Sequence, residues 1–253
     1  MEITLLGTGT SQGVPIIGCN CETCTSTDSR DNRLRTSAMI KVNGRTIIID
    51  AGPDFRQQML REKVSKIDAL LLTHEHKDHI GGLDDIRPFN FLQHQAIDIY
   101  CESNVQTTIR REFSYSFSEQ KYPGVPEMNL KTIDESTFSI DDILIQPIRV
   151  MHWELPILGY RIGNFTYITD ASFISDSEIE KIKGTQILVV NALRERKHYS
   201  HFNLEEAISF VEKVKPKQAF FTHISHSLGR YSVINNQLPE NISYGFDGLK
   251  ILL

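Results

Sequence analysis

The stretch from Ala69 to Gly82 reads ALLLTHEHKDHIGG, an apolar run that ends in three histidines and two carboxylates within six residues. With nine histidines in 253 residues, composition alone yields a His-x-His-x-Asp-His pattern in less than roughly one such chain in a thousand. Ala69–Thr73 reads as a buried strand, and the turn after a rigid strand can aim several side chains at one point. Imidazole nitrogen with carboxylate oxygen suits zinc, manganese or iron. Any one of these residues taken alone reads as solvated. His74, His76, Asp78 and His79 together do not.

Three more candidates follow apolar runs of the same kind: His152 after IRVM, Asp170 after YIT and His223 after FFT. A lone Asp or His in such a place is usually a turn or structural residue, so their weight is collective. A weak internal echo accompanies them. IIIDAG (47–52) resembles YITDAS (167–172), and LLLTHEH (70–76) resembles AFFTHISH (219–226). The echo fits two similar halves whose strand ends face one site.

Short strands are expected at Ile3–Leu6, Ala69–Thr73, Ile97–Cys101, Phe138–Val150, Leu158–Ile162, Phe165–Thr169, Ile187–Val190, Ala219–Thr222 and Leu249–Leu253. Asn43-Gly44 supplies the positive φ angles of a tight turn, making Ser37–Val42 and Arg45–Ile49 a hairpin. Helical spacing marks Asp54–Lys63, Asn104–Glu112 and Asn203–Val214, the last with Asn203 as N-cap. Phe113–Ser136 has little periodicity and carries Pro123 and Pro126; it reads as a long loop, either a lid or a surface insertion. Strands followed by strand–helix alternation imply an α/β layered fold, and the 253 residues are expected to form one domain.

A balance of 27 basic against 32 acidic residues, net −5, argues against a large phosphate-neutralising surface and hence against a stable nucleic-acid complex. It leaves room for a small anionic substrate. The first residues, MEITLL, do not read as a signal peptide, and no apolar run reaches the ~18 residues of a membrane span. Cys19, Cys21 and Cys24 lie within six residues of one another, too close for a disulfide framework, which favours a reducing, cytoplasmic setting. Their Cys-x-Cys-x-x-Cys spacing can wrap one structural zinc, and His226 is the candidate fourth ligand. Cys101 reads as a small core residue.

THEHKDH with a downstream His, Asp and His resembles the metallo-β-lactamase fold superfamily, from LLGTGTSQGVP to FFTHISH. The resemblance implies an αββα sandwich of two mixed β-sheets flanked by helices, with a two-metal site at one edge. It assigns His74, His76 and His152 to a first metal, Asp78, His79 and His223 to a second, and Asp170 as the bridge, the ions being zinc or manganese. Asp50 is then a candidate hydrogen-bond acceptor behind a ligand imidazole, with a turn-capping role as the alternative. The CxCxxC segment, within residues 13–30, resembles the PhnP-type cyclic phosphodiesterases of the carbon–phosphorus lyase pathway and, less narrowly, PqqB-type proteins.

What this resemblance implies is a metal-dependent phosphodiesterase acting on a cyclic ribose phosphate, a 2′,3′-cyclic nucleotide or another small diester, by a hydroxide shared between two metals. The alternatives are a tRNase Z-like endoribonuclease or a non-catalytic PqqB-like protein stabilised by metal. SHFNLEEA (200–207) is similar to the His-x-Thr-type motif of the tRNA-maturing endonucleases, with Asn203 in place of Thr. His201 is accordingly the candidate proton donor to the leaving oxygen, and Asp78 is carried as a catalytic residue as well as a ligand. Glu206 either orients His201 or is a solvated acid. His94 and His198 read as surface histidines, and Arg87 and Arg194 as phosphate contacts by charge alone. By the same analogy a homodimer is expected.

Overall fold

Strands that are apolar on both faces need cover on both faces, and this chain supplies it in four layers. The structure, a computed structural model, describes residues 1–120 and 122–253. Its strands are β1 (Glu2–Gly7), β2 (Ser37–Val42), β3 (Arg45–Ile49), β4 (Ala69–Leu71), β5 (Ile97–Cys101), β6 (Met128–Thr132), β7 (Phe138–Ile140), β8 (Ile143–His152), β9 (Leu155–Ile162), β10 (Phe165–Tyr167), β11 (Ile187–Asn191), β12 (Gln218–Thr222), β13 (Ile242–Tyr244) and β14 (Lys250–Leu252). The helices are α1 (Phe55–Arg61), α2 (Lys77–Ile80), α3 (Arg87–Gln93), α4 (Ser103–Glu112), α5 (Asp176–Ile182), α6 (Leu204–Val214) and α7 (Tyr231–Ile234).

Two sheets result, ordered β14-β1-β2-β3-β4-β5-β6 and β13-β12-β11-β10-β9-β8-β7. Each mixes antiparallel hairpins with parallel crossovers. Alternation along β4 shows the layering: Ala69 and Leu71 join the core between the sheets, while Leu70 packs with Phe55, Ile80 and Val105 on the helical side. In β11, Val189 faces the inter-sheet core and Leu188 and Val190 the helices. The expected αββα sandwich is the observed fold. Truncating such a residue, Leu71 to Ala for example, should cost about 2–5 kcal/mol.

Polar links cross the inter-sheet core beneath the strand ends. The buried Tyr160 hydroxyl donates to the Leu72 carbonyl, and the Leu158 N–H donates to the Thr73 carbonyl at 3.1 Å. Thr36 Oγ1 bonds both Tyr167 Oη at 2.9 Å and Thr222 Oγ1 at 2.6 Å. The ends of β4 and β12, where Thr73 and Thr222 precede histidines, are thereby fixed relative to each other.

The Asn43-Gly44 hairpin has the expected bounds, with φ of 49° and 74° at its turn. Two expectations need correction. Phe138–Val150 is not one strand but the hairpin β7–β8, because Asp141, with φ 52°, turns the chain. The expected loop 113–136 contains a helical turn at Ser114–Ser116 and the edge strand β6, parallel to β5. Met128 and Leu130 alternate with Asn129 and Lys131 and pack on the helical side, a two-residue period too short to stand out in the sequence. Residue 121 of that segment lies outside the described residues. Among the described residues, no helix is long and apolar enough to cross a membrane.

Candidate metal centre

The ends of four strands converge. Thr73–His79 follows β4, His152 ends β8, Asp170 lies just past β10 and His223 follows β12. Asp50, Asp170 and His223 all have left-handed backbones, with φ of 63°, 57° and 53°, a strained conformation that clusters where a side chain must be aimed. Asp50 and Asp170 occupy matching places in the internal echo, so the likeness extends to the backbone. Gly52 permits a close approach: a Cβ there would lie 2.0 Å from the Asp78 carbonyl oxygen. The Ala51 N–H also donates to the His79 carbonyl at 2.7 Å, seating α2 and its two site residues against the end of β3.

Donor atoms fall into groups whose members lie within 4.8 Å of one another: His74, His76 and His152; Asp78, His79, Asp170 and His223; and His152, Asp170 and His201. All seven residues assigned to the dinuclear site are thus brought together, with Asp170 shared between groups. Asp170 Oδ1 is 3.4 Å from His79 Nε2, and its Oδ2 is 3.2 Å from His223 Nε2. Asp78 Oδ2 lies 3.3 and 3.6 Å from the same two nitrogens. A tetrahedron with metal–ligand bonds of ~2.0–2.2 Å has edges of about 3.3–3.6 Å, so these separations fit four donors around one cation. Nε2 of His74, His79 and His223 is buried with no hydrogen-bond partner in the protein. Orphaned buried nitrogens of this kind need an explanation, and a cation supplies one.

Nδ1 of His79, His74 and His152 is occupied, whereas His223 Nδ1 is buried without a partner. His79 Nδ1 donates to Asp50 Oδ2 at 2.7 Å. Asp50 also accepts the Thr73 N–H at 2.8 Å and its hydroxyl at 2.9 Å, and His74 Nδ1 lies 3.0 Å from that hydroxyl. Asp50 therefore backs two imidazoles, one directly and one through Thr73, as the candidate acceptor role required. His152 Nδ1 donates to the carbonyls of Asp170 at 2.9 Å and Ser200 at 2.8 Å, which leaves its Nε2 bare.

Charge follows burial and pairing. Burial, then His79, holds His74 well below the usual histidine range. Burial opposes a charge on His79, but Asp78, Asp170 and Asp50 outweigh it and raise its pKa well above the ordinary value. Burial pushes the Asp50 carboxyl up, yet three donors converge on it, and we place the shared proton on His79 Nδ1. Asp170 stays far below the carboxylate range because His223 and His79 overcome its burial. His223 rises to about 9, its burial outweighed by Asp170 and Asp78. A divalent cation would replace these protons.

His201 stands against this cluster, with Nε2 3.1 Å from Asp170 Oδ2. Burial pushes its pKa down to about 4 despite that contact. Glu206 does not orient His201: its carboxylate accepts the Asn203 N–H at 3.0 Å, while Asn203 Oδ1 accepts the Glu206 N–H at 2.9 Å. This is a capping box, which Asn serves as well as Thr. Arg87 pairs with Asp84 at 2.7 Å, and Arg194 donates to the carbonyls of Arg196 and Lys197. His94 is an exposed residue ending α3. His198 is not simply a surface histidine. Its Nδ1 lies 3.2 Å from His201 Nδ1 and 3.1 Å from Ser200 Oγ, and its place three residues before His201 was the available signal.

The second cluster lies three residues beyond His223. Sγ of Cys19, Cys21 and Cys24 is 3.3, 3.3 and 3.5 Å from His226 Nδ1. Zinc bonds of ~2.3 Å to sulfur and ~2.0–2.1 Å to nitrogen give an edge of about 3.5 Å, so this donor set also fits one ion. The Cys24 N–H pulls the Cys21 thiol down to about 6, and burial pushes Cys24 up to about 11. Cys101, fully buried and pushed up to about 12, takes no part.

Residues 45–224 match the model of the Beta-lactamase superfamily domain. A crystal structure described as a new diphosphatase from the PhnP family superposes with a TM-score of 0.93 at 39% identity, over 99% of this chain and 96% of that one. Zinc-bound PqqB from Methylobacterium extorquens superposes at 0.80 with 19% identity, over the whole of both chains. An octanoyltransferase of Porphyromonas gingivalis is 41% identical over 100% of this chain and 52% of its own length. The chain spans about half the length of the curated relatives it matches. With a matched domain model and a near-complete superposition at 39% identity, this chain belongs to the beta-lactamase superfamily, within its PhnP family.

Proposed function

We propose that this protein is a metal-dependent hydrolase of a small phosphodiester, with His74, His76, Asp78, His79, His152, Asp170 and His223 holding two divalent cations, zinc or manganese. The observation that carries this reading is the set of buried Nε2 atoms without protein partners, those of His79 and His223 gathered with Asp78 and Asp170 and that of His74 with His76 and His152. Bound there, the cations would supply Lewis acidity toward a phosphoryl oxygen and a water acidic enough to act near neutral pH. Asp50 holds His79 and, through Thr73, His74 in the tautomer that turns Nε2 inward. Asp170 aligns both groups of ligands. His201 is neutral at pH 7, and Asp170 Oδ2 beside Nε2 keeps its proton on that nitrogen, with Ser200 Oγ placed to serve Nδ1. Nε2–H then faces the site and can hydrogen-bond the departing oxygen; transfer of the proton to that oxygen requires the imidazolium form, with the second proton on Nδ1 beside Ser200 Oγ. The Cys19–Cys21–Cys24–His226 cluster takes a structural zinc.

The PhnP-family neighbour described as a diphosphatase favours a second substrate of the same chemistry. A phosphorus inside a substituted diphosphate, like that of a diester, carries two bridging oxygens and one negative charge. Octanoyl transfer finds less support in this chain. Of its four thiols, Cys101 is sealed in the core with a raised pKa, and the other three surround His226, where a bound zinc would take up the lowered-pKa Cys21 thiolate. The test is turnover of bis(p-nitrophenyl) phosphate by the metal-loaded protein. For His201→Ala we expect kcat to fall about 10²–10⁴-fold with metal content unchanged. Loss of metal from that variant would make His201 a ligand instead, and no turnover by the loaded wild type would refute the hydrolase.

A further inference from the structure

Among the described residues, four hairpins close through two-residue turns, each with positive φ at its first position: Asn43-Gly44, Asp141-Asp142, Gly163-Asn164 and Trp153-Glu154. Three begin with the residue types that tolerate that backbone. The fourth places a tryptophan there, at φ 57°, directly after His152. Glycine, asparagine or aspartate is favoured in such a turn, and a bulky side chain in this conformation is a genuine outlier. Trp153 is also 59% exposed, so packing does not account for it. It is the chain's sole tryptophan.

Tyr199 stands beside it, 71% exposed, two residues before His201. The two rings meet edge to face, with centroids 5.6 Å apart and planes at 78°. Both are anchored: the Trp153 N–H donates to Ser172 Oγ at 2.9 Å, and Tyr199 stacks on His198 at 4.6 Å, which in turn contacts His201 at 5.1 Å. The result is an aromatic corner, open to solvent, joined by ring contacts to the residue proposed to face the leaving oxygen. A third ring can stack on one wall of such a corner and meet the edge of the other.

We propose that the Trp153–Tyr199 corner binds a planar ring carried by the substrate, so that the site takes nucleoside phosphates in preference to sugar phosphates without a base. The proposal rests on the hydrolase reading and deepens it, because it selects among phosphodiesters. Stacking of a base on an aromatic side chain is sequence-tolerant, so the corner favours nucleotides as a class, without choosing among bases.

Trp153 is its own reporter. Titration of the metal-loaded protein with AMP should quench its emission, whereas ribose 5-phosphate at the same concentrations should not. Tyr199→Ala should weaken AMP binding roughly tenfold, and Tyr199→Phe should restore it. In turnover, Trp153→Ala should raise KM for 2′,3′-cyclic AMP about tenfold with a smaller change in kcat, and Trp153→Phe should recover most of it. For methyl ribofuranoside 2,3-cyclic phosphate the same variants should change KM little. Equal binding of AMP and ribose 5-phosphate, unaffected by Tyr199→Ala, overturns the proposal. So does an emission that shifts with protein dilution but not with AMP, which assigns the corner to contact between copies of the chain. Turnover of bis(p-nitrophenyl) phosphate separates the two failures. With turnover present and no quenching, the corner is wrong and the hydrolase stands. With quenching and no turnover, ring binding holds and the hydrolase is wrong.

Discussion

Three of the four donors in the Cys19–Cys21–Cys24–His226 cluster come from one short loop, and Cys21 is exposed. The seven donors of the His/Asp centre come from the ends of four strands, and His74, His79, His152, Asp170 and His223 are buried. The loop supplies the three thiols of a local clamp, which His226, 202 positions from Cys24, completes. The strand-end centre exists only when both sheets are in place and Asp50, Thr73 and the backbone carbonyls of Asp170 and Ser200 hold the rings. Ile224 stands between them: its carbonyl accepts the Thr10 N–H at 3.1 Å, and its own N–H donates to the Thr8 carbonyl at 2.9 Å. The glycine-rich turn after β1 therefore pins the short link from His223 to His226. A clamp on that link would steady His223 without touching the chemistry.

Substitutions should separate the two clusters. Asp170→Ala removes the residue shared between the strand-end groups, and we expect turnover of bis(p-nitrophenyl) phosphate to fall at least ~10³-fold. Metal content should drop from about three ions per chain toward one, with the circular dichroism spectrum unchanged. Retention of all three ions would show that the strand-end centre does not depend on Asp170. Asp50→Asn should be milder, weakening metal affinity at the strand-end centre by about 10–100-fold, read by competition with a chelating dye. An equal loss at the cysteine loop would erase the distinction between the clusters.

Cys24→Ser should remove one ion and lower stability by a few kcal/mol, since binding energy at such a clamp is folding energy, while kcat falls less than tenfold. Denaturant unfolding and metal analysis on one preparation report both. A further effect is on pH. In the metal-free protein His223 holds its proton to about 9 because Asp170 and Asp78 outweigh its burial, whereas the unfolded chain releases it near 6.5. The native state then binds the extra proton between those values, so this contribution to stability is full below pH ~6.5 and is lost as pH rises through 9, up to ~3 kcal/mol. A cation displaces that proton, so the loaded protein should show no such decline. Melting curves at pH 6.5 and 9, with and without chelator, should show it.

Sequence reading reached the strand-end residues because each follows an apolar run, and rigid strand ends leave few directions for a side chain. The Asn43-Gly44 hairpin was legible for a similar reason: two residues determine it. What lay beyond reach depended on partners distant in the chain. β6 is a strand because β5 offers it an edge, not because MNLKT is strongly apolar. Glu206 is the reciprocal partner of Asn203 in a helix cap, which its acidic character alone does not reveal. His198 matches no motif; its place three residues before His201 was a weak signal, and the fold of the 194–202 loop brings the two rings together. Trp153 looked like nothing in the sequence, since its peculiarity is a backbone angle.

The account stands on two ions held by seven strand-end donors and a third held by the cysteine loop. Element-specific anomalous diffraction from crystals of the metal-loaded protein tests this directly. We predict three peaks, one enclosed by Cys19, Cys21, Cys24 and His226 and two flanking Asp170. A single peak at the cysteine loop, with His74, His79 and His223 left bare, would contradict it.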